Sequence, residues 1–178
     1  MTEYVKKLGS FNVVSSNIIV SDPCYERGIW CAGELENVLP GRWSASVATA
    51  DMGDWGVRVT QLAIQHTDAL NRHLLNRHVA MFDVAVDSGQ AGFFDVAHFH
   101  DQSVVEEKTS WPHEDDYWYN QCCKVTLSPS QSGIIPFGVV SSSGFGDGIY
   151  TCYYYTDQAG KVVAAEIVFL TDEDWEED

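Results

Sequence analysis

Basic side chains are scarce in this 178-residue chain. Ten lysines and arginines stand against 26 aspartates and glutamates, a formal net charge of −16. A surface with that field repels phosphate backbones, which excludes nucleic acid as a partner and favours a basic protein surface or a divalent cation. Long hydrophobic runs are missing too, and without a stretch of about 20 apolar residues no membrane-spanning helix is expected. Cysteines number five, an odd count with Cys122 and Cys123 adjacent. That pattern argues against a disulfide framework and for reduced thiols in a cytoplasmic setting. The opening MTEYVKKLGSFNVV lacks a basic segment followed by a continuous apolar one, so no secretory leader is expected.

What is present is a globular composition, with 45% hydrophobic and 20% charged residues. Six tryptophans, eight tyrosines and eight phenylalanines give a large packing area and favour strands over helices. No internal repeat, low-complexity stretch or linker divides the chain. We therefore expect one β-rich domain over residues 1–170, followed by the acidic tail 171–178 (TDEDWEED). That tail suits either a partner-binding segment or a solvated terminus.

Most of the chain patterns as strand. Phe11–Val14 and Asn17–Val20 flank Ser15-Ser16, a hairpin or bend, and residues 24–41 read as irregular. Arg42–Thr49 places Trp43, Ala45, Val47 and Thr49 on one face. Trp55–His66 is the longest strand candidate, and its phase slip between Val59 and Leu62 predicts a bulge. Thr67–His78 suits a short helix, Phe82–Val86 and Ala91–Phe94 are strands, and Asp95–Val105 is a short helix or loop. Trp111–Cys122 reads as a helix capped by Ser110, with one aromatic face on the sheet. The last third reads as all strand: Lys124–Leu127, Ile134–Val140, Ile149–Thr156 and Lys161–Leu170, the last two joined by a hairpin with Gly160 at its positive-φ position. The expected fold class is mainly β (α+β), an antiparallel β-sandwich or bent sheet with one or two short helices.

Three loops carry aspartate or glycine where strands turn: Asp22-Pro23-Cys24-Tyr25, Asp87-Ser88-Gly89-Gln90 and Ser143-Gly144-Phe145-Gly146-Asp147-Gly148. DPCY, VDSGQAGFFD and SGFGDGIYTCYYYTDQAGKVVAAEIVFL together make this chain similar to the domain-of-unknown-function family 4241 of phage and bacterial proteins. The likeness falls on residues 20–31, 83–95 and 142–170. It implies a mostly β fold, singles out Asp87, Gly89, Gly144, Gly146, Asp147, Gly148 and Tyr150, and assigns no chemistry.

Several chemistries are open to these residues, each beside a plainer reading. Asp22, Asp87, Asp95 and Asp147 suit a hard cation if they converge, or simply bind turn amides. No calcium-loop spacing is present, and His98, His100 and the cysteines lack zinc-ligand spacing. Cys24 suits a nucleophile activated by His98 or His113, or a small hydrophobe in a corner. The 141–148 run has the glycine density of a phosphate loop, but lacks its Lys-Ser/Thr and is followed by a strand. Candidate ligand-binding residues are Asp22, Cys24, Tyr25, Asp87, Ser88, Gln90, Gly146, Asp147 and Tyr150. No catalytic set, cofactor motif or defined metal set is legible. The leading expectation is a non-enzymatic acidic binding protein, a phage-type inhibitor of a basic host partner. The alternative is a small hydrolase or ligand- or cation-binding protein with its site at the Asp22, Asp87 and Asp147 loops.

Overall fold

A computed structural model describes residues 2–71 and 79–175. Among them eleven strands run in chain order: β1 (Glu3–Val13), β2 (Ile18–Ser21), β3 (Gly33–Leu35), β4 (Gly41–Asp51), β5 (Val57–His66), β6 (Val79–Val86), β7 (Gln90–Asp95), β8 (Ser132–Ile135), β9 (Gly138–Ser142), β10 (Gly148–Thr156) and β11 (Val162–Val168). One α-helix, α1 (Tyr117–Thr126), and short 3-10 turns complete the described chain. The strands form a six-stranded sheet, β1-β4-β5-β11-β10-β6, and a five-stranded sheet, β3-β2-β7-β9-β8, with every named pair antiparallel. The fold is therefore the expected α+β sandwich.

The inner faces meet over Trp43, Leu62, Phe93, Val139 and Ile167, all fully buried. A second cluster forms on the other side of the five-stranded sheet, where Trp118 and Cys122 of α1 pack on Phe94, Ile135 and Val140. The helix thus docks through an aromatic side chain, as its sequence suggests.

The bulge expected in β5 is present. Ala48 pairs with Gln61 and Thr49 with Val59, which leaves Thr60 as the extra residue. Its carbonyl accepts from the amides of Phe169 and Leu170, at 2.8 and 3.1 Å. Trp43, Ala45 and Val47 share the core, but beside the bulge burial moves to Ala48 and Ala50, and Thr49 is only half-buried. The β10–β11 hairpin also forms as expected, with Gly160 at φ +77°.

Other expectations are corrected. The helix begins at Tyr117 rather than Trp111, because Asp116 caps it by accepting from the Tyr119 amide at 3.1 Å. Pro112 and the acids 114–115 precede it in a bend and a turn, and Ser110 lies before them in irregular chain. Helical structure continues through Thr126, so Lys124–Leu127 is not a strand: Thr126 returns its hydroxyl to the Cys122 carbonyl, four residues back. Ile134–Val140 is two strands, β8 and β9, folded at Pro136-Phe137. The 24–41 stretch holds β3 at the sheet edge. The short helix or loop expected for Asp95–Val105 is present as two 3-10 turns, with His98 ending the first and His100 between them at φ +59°. Thr67–Asn71 forms a 3-10 turn; the rest of the helix read for Thr67–His78 lies outside the described residues.

Sequence neighbours often lie in different sheets. β1 and β2 do not form a hairpin: the chain crosses between layers at 14–17. It crosses again between β3 and β4, between β6 and β7, and between β9 and β10. The last two of those crossings carry the Asp87 and Ser143–Gly148 loops, whereas the Asp22 loop follows β2 within the five-stranded sheet.

Candidate functional site

The first two loops meet through one carboxylate. Asp22 follows β2 and is fully buried. It accepts from the Cys24 amide at 2.8 Å, the Asp87 amide at 2.9 Å, and the Ser88 amide and hydroxyl, each at 2.6 Å. A buried carboxylate with four donors is satisfied, which is the condition for keeping its charge inside a protein. Asp22 therefore fastens the β6–β7 crossing to the end of β2.

Asp95 does the same work at the other end. It is also fully buried. Its oxygens accept from the amides of Val14, Ser15 and Ala97 and from the Ser15 hydroxyl. β2 and β7 pair with Ile18 opposite Asp95 and Ser21 opposite Gly92. One aspartate thus clasps a layer crossing at each end of the same strand pair.

The third loop is held differently. Tyr150 donates its hydroxyl toward the carbonyls of Gly146 (2.7 Å) and Ser143 (3.1 Å), and the Ser143 hydroxyl donates to Gly146 as well. Gly144, at φ +50°, lies against Leu170: a Cβ there would come within 3.0 Å of that side chain. The Ser143 amide donates to the Gly89 carbonyl at 3.1 Å, so this loop abuts the second one. All three loops form one corner of the sandwich.

The structure thus brings the candidate residues together but commits most of them internally. Asp22, Ser88 and Tyr150 build the corner, and the Gly146 carbonyl receives Tyr150. Gln90 is buried: its amide donates to Cys123 Sγ (3.6 Å) and to the Tyr119 hydroxyl (3.4 Å), and its oxygen accepts from Thr126 at 3.0 Å. Tyr25 donates its hydroxyl to the exposed Asp87 carboxylate. That bond, above all, pushes the phenol well above its ordinary range. Asp147 and Cys24 are exposed.

The thiol chemistry at the corner is quiet. Partial burial, and then the Asp22 carboxylate, push Cys24 up to about 12. The thiolate is the nucleophile, so this environment works against one. Of the imidazoles, His98 Nδ1 lies 2.8 Å from Asp101, and His100 Nε2 lies 2.8 Å from the carbonyl of Pro23 in the first loop. Among the described residues no group of three or more His, Cys, Asp or Glu side chains is arranged to hold a metal ion.

Sequence reasoning missed one feature beside this corner. Trp55, in the β4–β5 turn, and Phe145, in the third loop, stand edge to face with ring centroids 5.6 Å apart. They are 62% and 47% exposed, and Val57, two positions after Trp55, is 53% exposed. Asp51, Asp54 and Asp147, close to the two rings in sequence, are exposed as well. Trp55 read as the start of a strand, but the strand begins at Val57 and Trp55 closes the preceding 3-10 turn; the available signal was Phe145, an aromatic ring inside a glycine-rich turn.

The model of a family described as a protein of unknown function, DUF4241, matches residues 11–167. The chain belongs to the DUF4241 family. No curated protein and no solved structure matches it. The span matched to DUF4241 takes in the three loops, both clasping aspartates and the Trp55–Phe145 pair, so this corner is part of the family's own extent. Among the described residues no helix is long and apolar enough to cross a membrane.

Proposed function

We propose that this DUF4241 protein is a non-enzymatic binding module that engages a basic protein through the Trp55–Phe145 face. The observation that carries the reading is two exposed aromatic rings in mutual contact with three exposed aspartates close by in sequence. Aromatic side chains anchor protein interfaces, and an acidic rim selects and steers a cationic partner. The commitment of the corner's polar groups to internal bonds supports binding over catalysis. An inhibitor of the phage type, laid over a cationic patch of a host protein, is the form of partner this chemistry suits.

The test is affinity capture from host lysate at low and at high salt, run beside a Trp55→Ala/Phe145→Ala variant. Basic proteins should be retained at low salt, released as salt rises, and weakened by the double variant by at least about tenfold. Retention indifferent to salt, or unchanged in the variant, sinks the reading.

A further inference from the structure

The outer face of the six-stranded sheet carries a trough of about 680 Å³, built from different residues than the Trp55–Phe145 surface. Its floor follows from strand register. Lys7 pairs with Ser46, Ser46 with Ala63, and Ala63 with Glu166, so these four side chains form one row across β1, β4, β5 and β11. Each of the last three lies between inward-facing neighbours: Ala45 and Val47, Leu62 and Ile64, Ala165 and Ile167. Alternation therefore turns Ser46, Ala63 and Glu166 to the outside. Two small residues at the centre and longer ones on the banks leave the depression.

Charge is arranged along this row. Glu166 is held from two sides: Gln61 donates to one carboxylate oxygen at 2.5 Å, and the Tyr155 hydroxyl to the other at 2.7 Å. A carboxylate offers about four lone-pair directions, so one remains on each oxygen. Two side-by-side acceptors match the fork of a guanidinium better than the point charge of an ammonium. Lys7 stands on the opposite bank, three strand spacings away, or about 14 Å. In an extended chain, residues i and i+4 point the same way and lie about 13 Å apart.

The geometry points to this trough as the docking site for an extended segment of a partner protein that presents an arginine and an acidic residue four positions apart, the arginine on Glu166 and the acid on Lys7. Complementary charge at both ends of the row argues for this occupant. This inference does not depend on the Trp55–Phe145 reading.

The experiment uses the full chain and capped five-residue peptides with glutamate and arginine at the two ends, in both orders, around a Thr-Val-Thr centre. Binding is followed by amide chemical shifts on titration. Shifts should concentrate at Ala63, Ala164, Gln61 and Tyr155. Citrulline in place of arginine, or Glu166→Gln in the protein, should weaken binding by at least about tenfold. Lys7→Glu should weaken it while leaving the peptide's arginine requirement in place. The inference is overturned if neither peptide order binds, if shifts fall elsewhere, if citrulline serves equally, or if Glu166→Gln binds as the parent does. Free arginine binding as tightly as the peptides would also overturn it, since the strand would then contribute nothing. A Trp55→Ala/Phe145→Ala chain that still binds the peptides separates this site from the surface proposed above.

Discussion

At Cys24, burial and the Asp22 carboxylate press on the same thiol, and the consequence is measurable. Folding favours the protonated form, because the folded value of about 12 lies above the ordinary 9.0. The contribution to stability is complete below pH 9 and is lost as pH rises toward 12. Alkylation by iodoacetamide at pH 8 should therefore be slower at folded Cys24 than in the denatured chain, by more than about tenfold. Equal rates would show that the thiol escapes these neighbours. Asp22 itself is the more consequential residue. Asp22→Ala strands three amides and a hydroxyl at a buried corner, and should cost about 3–5 kcal/mol in denaturant unfolding. Asp87→Asn, whose side chain meets the Tyr25 hydroxyl at the surface, should change stability by less than about 1 kcal/mol. The sequence marked both aspartates as loop carboxylates. It held nothing to separate the buried clasp from the exposed one, because that difference arises from which sheet each neighbouring strand joins.

At the scale of elements, patterns of period two were legible and caps were less so. The β5 bulge was readable because Val59 and Leu62 both need burial and lie an odd number of positions apart. The β10–β11 hairpin was readable because its turn needs a positive φ where glycine stands. The helix start was misplaced because Ser110 and Asp116 both precede suitable runs, and the choice rests on tertiary partners. Gln102 accepts the Trp118 amide at 2.9 Å and donates to Asp116 at 3.0 Å, tying the first turn to the neighbouring loop. Asp116→Ala should accordingly cost about 1 kcal/mol, and Ser110→Ala close to nothing, by thermal or denaturant unfolding. The reverse order would restore the longer helix. The strand read at Lys124–Leu127 failed for a related reason: alternation over four residues fits a helix terminus equally well. The Trp55–Phe145 face stayed hidden because its two halves are 90 residues apart in the chain, and contact between loops of different strands follows only from topology.

For the whole molecule, 26 acidic and ten basic side chains set up repulsion that counterions relieve. Unfolding temperature should rise as sodium chloride increases from about 0.01 to 0.15 M, where the screening length falls from roughly 30 to 8 Å. A temperature that falls or stays flat would mean that local ion pairs, such as Arg27–Glu34 and Lys124–Glu107, outweigh the net field. The sandwich class was legible from strand density and turns. The layer assignments were not, since four connections cross between sheets and no local pattern reports a crossing.

Because Asp22 and Asp95 grip opposite ends of the β2–β7 ribbon, neither layer can slide along the other without breaking a clasp. The two rims of the sandwich consequently keep a fixed mutual distance, and whatever settles on one meets a rigid anvil rather than a yielding cushion.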